Sequence, residues 1–226
     1  SGAIYYLNSL TVTDSIYFYP YRALAHAKTH HIYEQESPTS SPEAYVEDAS
    51  VDWQAFKDKL ISKNRETFYT VYREKHLFDG AMTLSPKALE ASGELYFDNA
   101  LTVSDEFILQ SNDFTAHHSQ FNLFDEVDDE KIIAGKDLYT AVSFEDDLGS
   151  FETLTDSASF ELRPNKYHLY FDLMEWDMTN YTMNFSQFSE DQAWLVSVDQ
   201  FQDSLSFYAT EAQYDLVTHD LDVNGV

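Results

Sequence analysis

The chain has 226 residues, of which 40 are acidic and 13 basic, for a formal charge of −27. A field of that sign repels nucleic-acid phosphates and anionic lipid and argues against a nucleic-acid partner. There is no cysteine, so disulfides, thiolate metal sites and cysteine nucleophiles are excluded, and no apolar run approaches the roughly 18 residues of a membrane-spanning helix.

Sixteen Tyr and 17 Phe supply strand-forming aromatics, while six Gly and five Pro are too few for collagen-like sequence. The first residues, Ser1 to Tyr6, enter a strand with no basic leader, as expected of a mature chain or an excised fragment. Asp14-Ser15-Ile16-Tyr17-Phe18 introduces a motif, an Asp followed by apolar residues two and four positions on. It returns at Asp105-Glu106-Phe107-Ile108-Leu109, Asp156-Ser157-Ala158-Ser159-Phe160 and Asp203-Ser204-Leu205-Ser206-Phe207. A side-chain period of two sends both apolar residues of each copy to one face. The intervals of 91, 51 and 47 residues suggest a unit of about 45 to 50 residues with one copy disguised. Laid over Gly93–Leu109, Gly2–Phe18 matches at seven of 17 positions, and the paired glycines suit a bend that tolerates no Cβ.

Residues 34 to 50 have the Pro, Ser and acid content of an exposed loop. A helix is expected over residues 51 to 63, capped by Ser50, with Trp53, Phe56 and Leu60 at helical spacing, so that 34 to 66 form an insertion. From Phe68 onward the pattern is β: 68 to 72, 77 to 84, 95 to 97, 114 to 124, 138 to 144, 167 to 173, 181 to 185 and 194 to 198. Asp79-Gly80, Ser92-Gly93, Leu148-Gly149-Ser150 and Arg163-Pro164-Asn165-Lys166 punctuate it with turns.

Candidate chemistry is sparse. His26, His30, His31, His117 and His118 lie at near-equivalent places, but neighbouring histidines on a strand point to opposite faces, so surface or half-buried roles are expected in preference to a metal site. The acid runs 125 to 130 and 145 to 147 fit hairpin tips and lack the Asp-x-Asp-x-Asp-Gly calcium loop. No nucleophile elbow, zinc-protease motif, phosphate loop or dinucleotide fingerprint occurs. No catalytic, cofactor-binding or metal residue is therefore assigned, and no enzymatic activity is expected. Tyr5, Tyr6, Tyr17, Tyr19, Tyr21, Trp176 and Trp194 could build a sugar-stacking platform or line an apolar groove, with strand core the favoured alternative. Asn180-Tyr181-Thr182 and Asn184-Phe185-Ser186 are glycosylation sequons in a compartment that glycosylates.

The segment Ala212-Gln213-Tyr214-Asp215 through Leu221 and Gly225 to Val226 resembles the Ala-x-Tyr-Asp…Leu-x-x-x-Gly-x-Val rung of the periplasmic lipopolysaccharide-transport β-taco (jelly-roll) family. With its Asp-Ser echoes the whole chain is similar to a section of the long repetitive envelope proteins of Bacteroidota. That resemblance implies an O-glycosylation pattern at Asp14-Ser15-Ile16, Asp156-Ser157-Ala158 and Asp203-Ser204-Leu205. The taco resemblance implies stacked, twisted strands forming a trough able to shield acyl chains.

The expected fold class is all-β, a repetitive stacked-strand, solenoid or β-taco-like sheet over residues 1 to 226 with one short inserted helix. The expected role is a non-enzymatic scaffold segment of an extracytoplasmic protein, in the periplasm, associated with the outer membrane or at the cell surface. Its partners would be other segments of a longer chain or envelope proteins. A lipid or hydrophobic-ligand carrier and a carbohydrate-binding β domain are the alternatives. Whether the face formed by Ile16, Phe18, Phe107, Leu109, Ala158, Phe160, Leu205 and Phe207 is solid or hollow separates scaffold from carrier.

Overall fold

A computed structural model describes residues 2–125, 129–188, 192–201 and 205–225. The chain is all-β and antiparallel, and it divides into two compact units: Ser1–Asp98 with Val103–Phe114, and Asn99–Thr102 with Thr115–Val226.

In the first unit β1 (Gly2–Tyr6) pairs with the first half of β2 (Ser9–Tyr19), from Tyr6↔Ser9 to Gly2↔Thr13. The whole of β2 pairs with β3 (Arg22–Ile32) through bulges around Thr13, and β3 pairs with β4 (Ala44–Gln54). The far end of β4 pairs with β5 (Lys59–Asn64) and its near end with β6 (Tyr69–Val71). Both then pair with β7 (His76–Leu84), which pairs with β8 (Leu89–Phe97). β9 (Ala100–Leu109) belongs to this unit from Val103 onward, and the chain leaves the unit after Phe114.

Apolar residues alternate along these strands, and the inward set closes on aromatic rings. Phe78 lies 6.0 Å from Phe107, which lies 5.8 Å from Phe114, and Phe97 lies 5.5 Å from Phe114. All four are essentially without solvent contact. Tilted and edge contacts of this kind add about 0.5–1.5 kcal/mol per pair beyond area burial. Tyr69 is buried with them and donates its hydroxyl to Ser62 Oγ at 2.9 Å, so its one polar atom is satisfied.

The expected helix over 51 to 63 is not formed. Val51–Gln54 complete β4, Ala55–Lys57 make one 3-10 turn, Asp58 takes a left-handed φ of 48°, and Lys59 begins β5. Ala49 and Val51, then Leu60, Ser62 and Asn64, alternate inward with period two, and the ladder from Ala49↔Asn64 to Gln54↔Lys59 satisfies the backbone. The helical spacing of Trp53, Phe56 and Leu60 is thus split over two strands and a turn. The loop is likewise shorter than residues 34 to 50, because Ala44 already begins β4.

In the second unit β10 (Asp113–Phe124) is followed by β11 (Lys131–Ser143), which pairs with β12 (Leu148–Thr153) at one end and β13 (Phe160–Leu162) at the other. β12 then pairs with β15 (Leu173–Asp177), and β13 with β14 (Tyr167–Tyr170). β15 pairs with β16 (Thr182–Ser186) and β14 with β17 (Ala193–Ser197). β18 (Ser206–Ala209) adds to β17, β19 (Glu211–Asp215) adds to β16, and β20 (Leu221–Asn224) adds to β19. Its core contains Phe121 against Phe151 at 4.1 Å and Phe185 between Phe160 and Phe171 at 5.7 and 5.8 Å.

One long strand in each unit pairs with two successive shorter ones: β4 with β5 and β6, which both pair with β7, and β11 with β12 and β13, which pair with β15 and β14. Local details agree. Leu7 and Asp98 both have φ of 47°, Asn8 O accepts from Tyr33 N at 2.8 Å, and Asn99 O accepts from Phe124 N at 2.9 Å. Each Asn also donates its side-chain amide to that partner's carbonyl.

The four Asp motifs do not share one face. Asp14 and Asp105 lie within β2 and β9, but Asp156 to Ala158 occupy a turn that Ala158 N closes onto Thr155 O, and only Phe160 reaches a strand. Asp203 and Ser204 lie outside the described residues, and Leu205 precedes β18. Of the eight proposed inward residues, Phe107, Leu109 and Phe160 are buried, whereas Phe18 and Leu205 are exposed. Five residues are too few to distinguish a strand start from a turn.

Candidate interaction surface

The first unit exposes its largest apolar side chains where β1 and β2 run together and at the adjacent β2–β3 and β4–β5 turns. Tyr5, Leu7, Tyr17, Phe18, Tyr19, Tyr21 and Phe56 all stand in solvent. Phe18 is 75% exposed and Phe56 79%. Tyr21 and Phe56 meet edge to face with centroids 5.1 Å apart, and two shallow depressions of about 300 and 380 Å³ flank them, sharing Tyr21 and Arg22. Arg22 is held at 3.2 Å from Asp52, which also accepts from Gln54 at 2.8 Å.

The equivalent turns further along the chain carry different residues, and the β11–β12 turn has its aromatic, Phe144, where Ala55 stands. Tyr19 and Tyr21 correspond to Gln110 and Asn112, and in the β11–β12 turn, closed by Ser143↔Leu148 as β4–β5 is by Gln54↔Lys59, Glu145 and Asp146 stand where Phe56 and Lys57 do. An aromatic at the Phe56 position is therefore not required by the turn.

Of the aromatics proposed as a platform, Tyr5, Tyr17, Tyr19 and Tyr21 belong to this surface. Tyr6 and Trp176 are buried, and the Tyr6 hydroxyl donates to Asp58 at 3.0 Å; burial and that carboxylate push its pKa upward. Trp194 is half exposed in the second unit, in a cross-strand row with Tyr170 and Tyr208 at 6.2 and 6.3 Å. Phe18 was expected to face inward and Phe56 to sit on a helix, so neither was recognisable as surface; only comparison with Leu109 and Glu145 marks them.

The histidines do not converge. His26 meets Asp48 and Arg65, His31 Nε2 donates to Glu43 at 2.8 Å beside Tyr33 and Tyr45, and His118 meets Asp137 at 2.7 Å. His117 packs on Tyr139, and His30 is buried. Among the described residues no three side chains capable of ligating a metal come together. In the acid run 125 to 130, residues 126 to 128 lie outside the described residues, while 145 to 147 form the β11–β12 turn as a hairpin tip. No helix of the described residues is long and apolar enough to cross a membrane.

Comparison of the chain with protein-family models, curated proteins and solved structures finds no match.

Proposed function

We propose that this chain is a structural segment of an extracytoplasmic envelope or cell-surface protein, built from a module of about 91 residues and without a catalytic role. The observation that carries the reading is the filled interior of each unit, Phe78, Phe97, Phe107 and Phe114 in one and Phe121, Phe151, Phe160 and Phe185 in the other. A carrier of acyl chains needs open apolar volume, whereas close-packed aromatic rings give rigidity. The strand pairing of the two units fits a chain lengthened by duplication. An acidic exterior keeps such a body soluble.

Native mass spectrometry of the chain purified from a bacterial host tests the reading. The polypeptide mass alone is expected, and a stoichiometric lipid adduct would replace scaffold with carrier. Fractionation of the source cells should place the protein in the envelope; recovery in the cytosol would remove that part of the proposal. The row of Tyr170, Trp194 and Tyr208 favours a second reading, contact with glycans, which retardation in gels containing soluble polysaccharides would reveal.

A further inference from the structure

We infer that the outward row His31, Tyr45, Thr70, Leu77 and Tyr96, on one sheet face of the first unit, binds an extended segment of a partner polypeptide that carries basic residues four positions apart with an apolar residue midway. The inference goes beyond the scaffold reading and does not depend on it.

The row follows from the strand registers. His31 pairs with Tyr45, Tyr45 with Thr70, Thr70 with Leu77 and Leu77 with Tyr96, so β3, β4, β6, β7 and β8 place one side chain each in line. Each of the five stands between two buried neighbours and therefore points away from the core. At this level β4, β6 and β7 are each paired on both sides, so the row crosses the interior of a sheet and not its edge.

Outward positions on a half-solvated antiparallel sheet are ordinarily polar. Here Leu77 is 42% exposed, and so is Phe68, whose ring lies parallel to Tyr96 with centroids 5.8 Å apart. Tyr45 donates its hydroxyl to Glu47 at 3.2 Å, and Tyr96 donates to Glu94. Each carboxylate stands two residues along on the same face, which lays the ring along its strand and turns a π face outward.

Charge names the occupant. At the Tyr45 end, His31, Glu43, Tyr45, Thr70 and Glu74 line a shallow depression of about 180 Å³. At the other end the hydrogen bond to Glu94, then burial and the charge of Asp79, push the pKa of Tyr96 up to about 12. Among the described residues no Lys or Arg forms an ion pair with Glu43, Glu74, Asp79 or Glu94, and Arg73 is taken by Glu34 at 2.8 and 3.0 Å. Carboxylates beside tyrosine faces attract ammonium and guanidinium groups. Leu77, between the two ends, offers no ring to a sugar but takes an apolar side chain. Three strand steps of about 4.8 Å separate Tyr45 from Tyr96, and an extended chain covers the same distance, about 14 Å, in four residues. A segment laid across the strands thus sets a basic side chain on each end and the side chain midway between them on Leu77.

The test titrates the full chain into a fluorescent peptide, Thr-Thr-Arg-Thr-Val-Thr-Arg-Thr-Thr, and into its isomer Thr-Thr-Arg-Arg-Val-Thr-Thr-Thr-Thr, reading anisotropy. The first is expected to bind about ten-fold more tightly or better. Leu77→Glu makes the protein more acidic, so a diffuse attraction for cations would strengthen binding, whereas docking on the row weakens it about ten-fold. Leu148→Glu, at an exposed position of the second unit, should cause no weakening. The parent chain gives a measurement free of any folding defect: amide chemical shifts on adding the peptide should move most at Tyr45, Thr70, Leu77 and Tyr96. Equal affinity for the two peptides, binding of neither, unweakened binding by Leu77→Glu, or shifts centred elsewhere overturns the inference. A glucosamine oligomer that displaces the peptide and binds more tightly would assign the row to a glycan, and also overturns it.

Discussion

Thr11 and His30 are fully buried side by side, with Thr11 Oγ1 2.8 Å from His30 Nδ1, while His30 Nε2 is buried without a hydrogen-bond partner. A neutral ring tolerates this. A protonated ring must carry a hydrogen on Nε2 with no acceptor, and burial, helped by the charge of His31, pushes the pKa down from 6.5 to about 4. A base whose folded pKa lies below its unfolded value binds protons more readily when unfolded, so stability is complete above pH 6.5 and is lost as the pH falls toward 4. The ceiling on that loss is about 3 kcal/mol. Urea unfolding between pH 7.5 and 4.5 should show His30→Phe losing less stability than the parent over this range; parallel curves would refute the assignment.

Ninety-one residues on, Thr11 and His30 become Thr102 and Phe121, both fully buried, and Thr102 Oγ1 has no hydrogen-bond partner among the described residues. A buried hydroxyl with nothing to bond costs about 1–3 kcal/mol of desolvation. Thr102→Val should therefore be neutral or stabilising by about 1 kcal/mol, and Thr11→Val, which strands the His30 nitrogen, should destabilise by about as much. Paired denaturant titrations decide this, and the same sign for both would be inconsistent with it.

The alternation of apolar residues disclosed the strands from Phe68 onward. What misled was the shortest signal. Asp156-Ser157-Ala158 satisfies the same five-residue template as Asp14-Ser15-Ile16 yet forms a turn, so the 51- and 47-residue spacings carry no structural meaning. Trp53, Phe56 and Leu60 match a helix when read alone, whereas the β4–β5 hairpin, held by β3 on one side and β7 on the other, makes them two strand ends and a turn. The exposed aromatic surface was illegible for a related reason: period two separates the two faces of a strand but does not say whether either face is covered.

Gly93→Ala and Gly80→Ala should each destabilise the protein by about 3 kcal/mol or more, since either Cβ would fall within 2.2 Å of a backbone oxygen in a conformation that L side chains rarely adopt. Loss of the cooperative transition, with a molten near-ultraviolet circular dichroism spectrum, is the extreme form. A Gly93→Ala variant that melts within a degree or two of the parent would show that the β7–β8 ladder can separate at no cost.

Truncating equivalent positions should give unequal answers. Phe107→Ala opens a cavity beside Phe78 and Phe114 and is expected to cost about 3–5 kcal/mol, whereas Ile16→Ala, half exposed beside Gly2, should cost under about 1 kcal/mol. Comparable losses would mean that Ile16 is covered in solution.

Phe56 occupies the turn position that Glu145 holds in β11–β12, and it stands in solvent against Tyr21. Replacing it by the residue the other turn already uses removes apolar surface without touching the β4–β5 ladder. Phe56→Glu should leave unfolding free energy within about 0.5 kcal/mol of the parent, the range usual for surface substitutions. It should also lower binding of a hydrophobic dye, because an exposed aromatic cluster is lost. A large drop in stability would make Phe56 a structural residue of the turn, and the difference between Phe56 and Glu145 would then reflect folding instead of surface role.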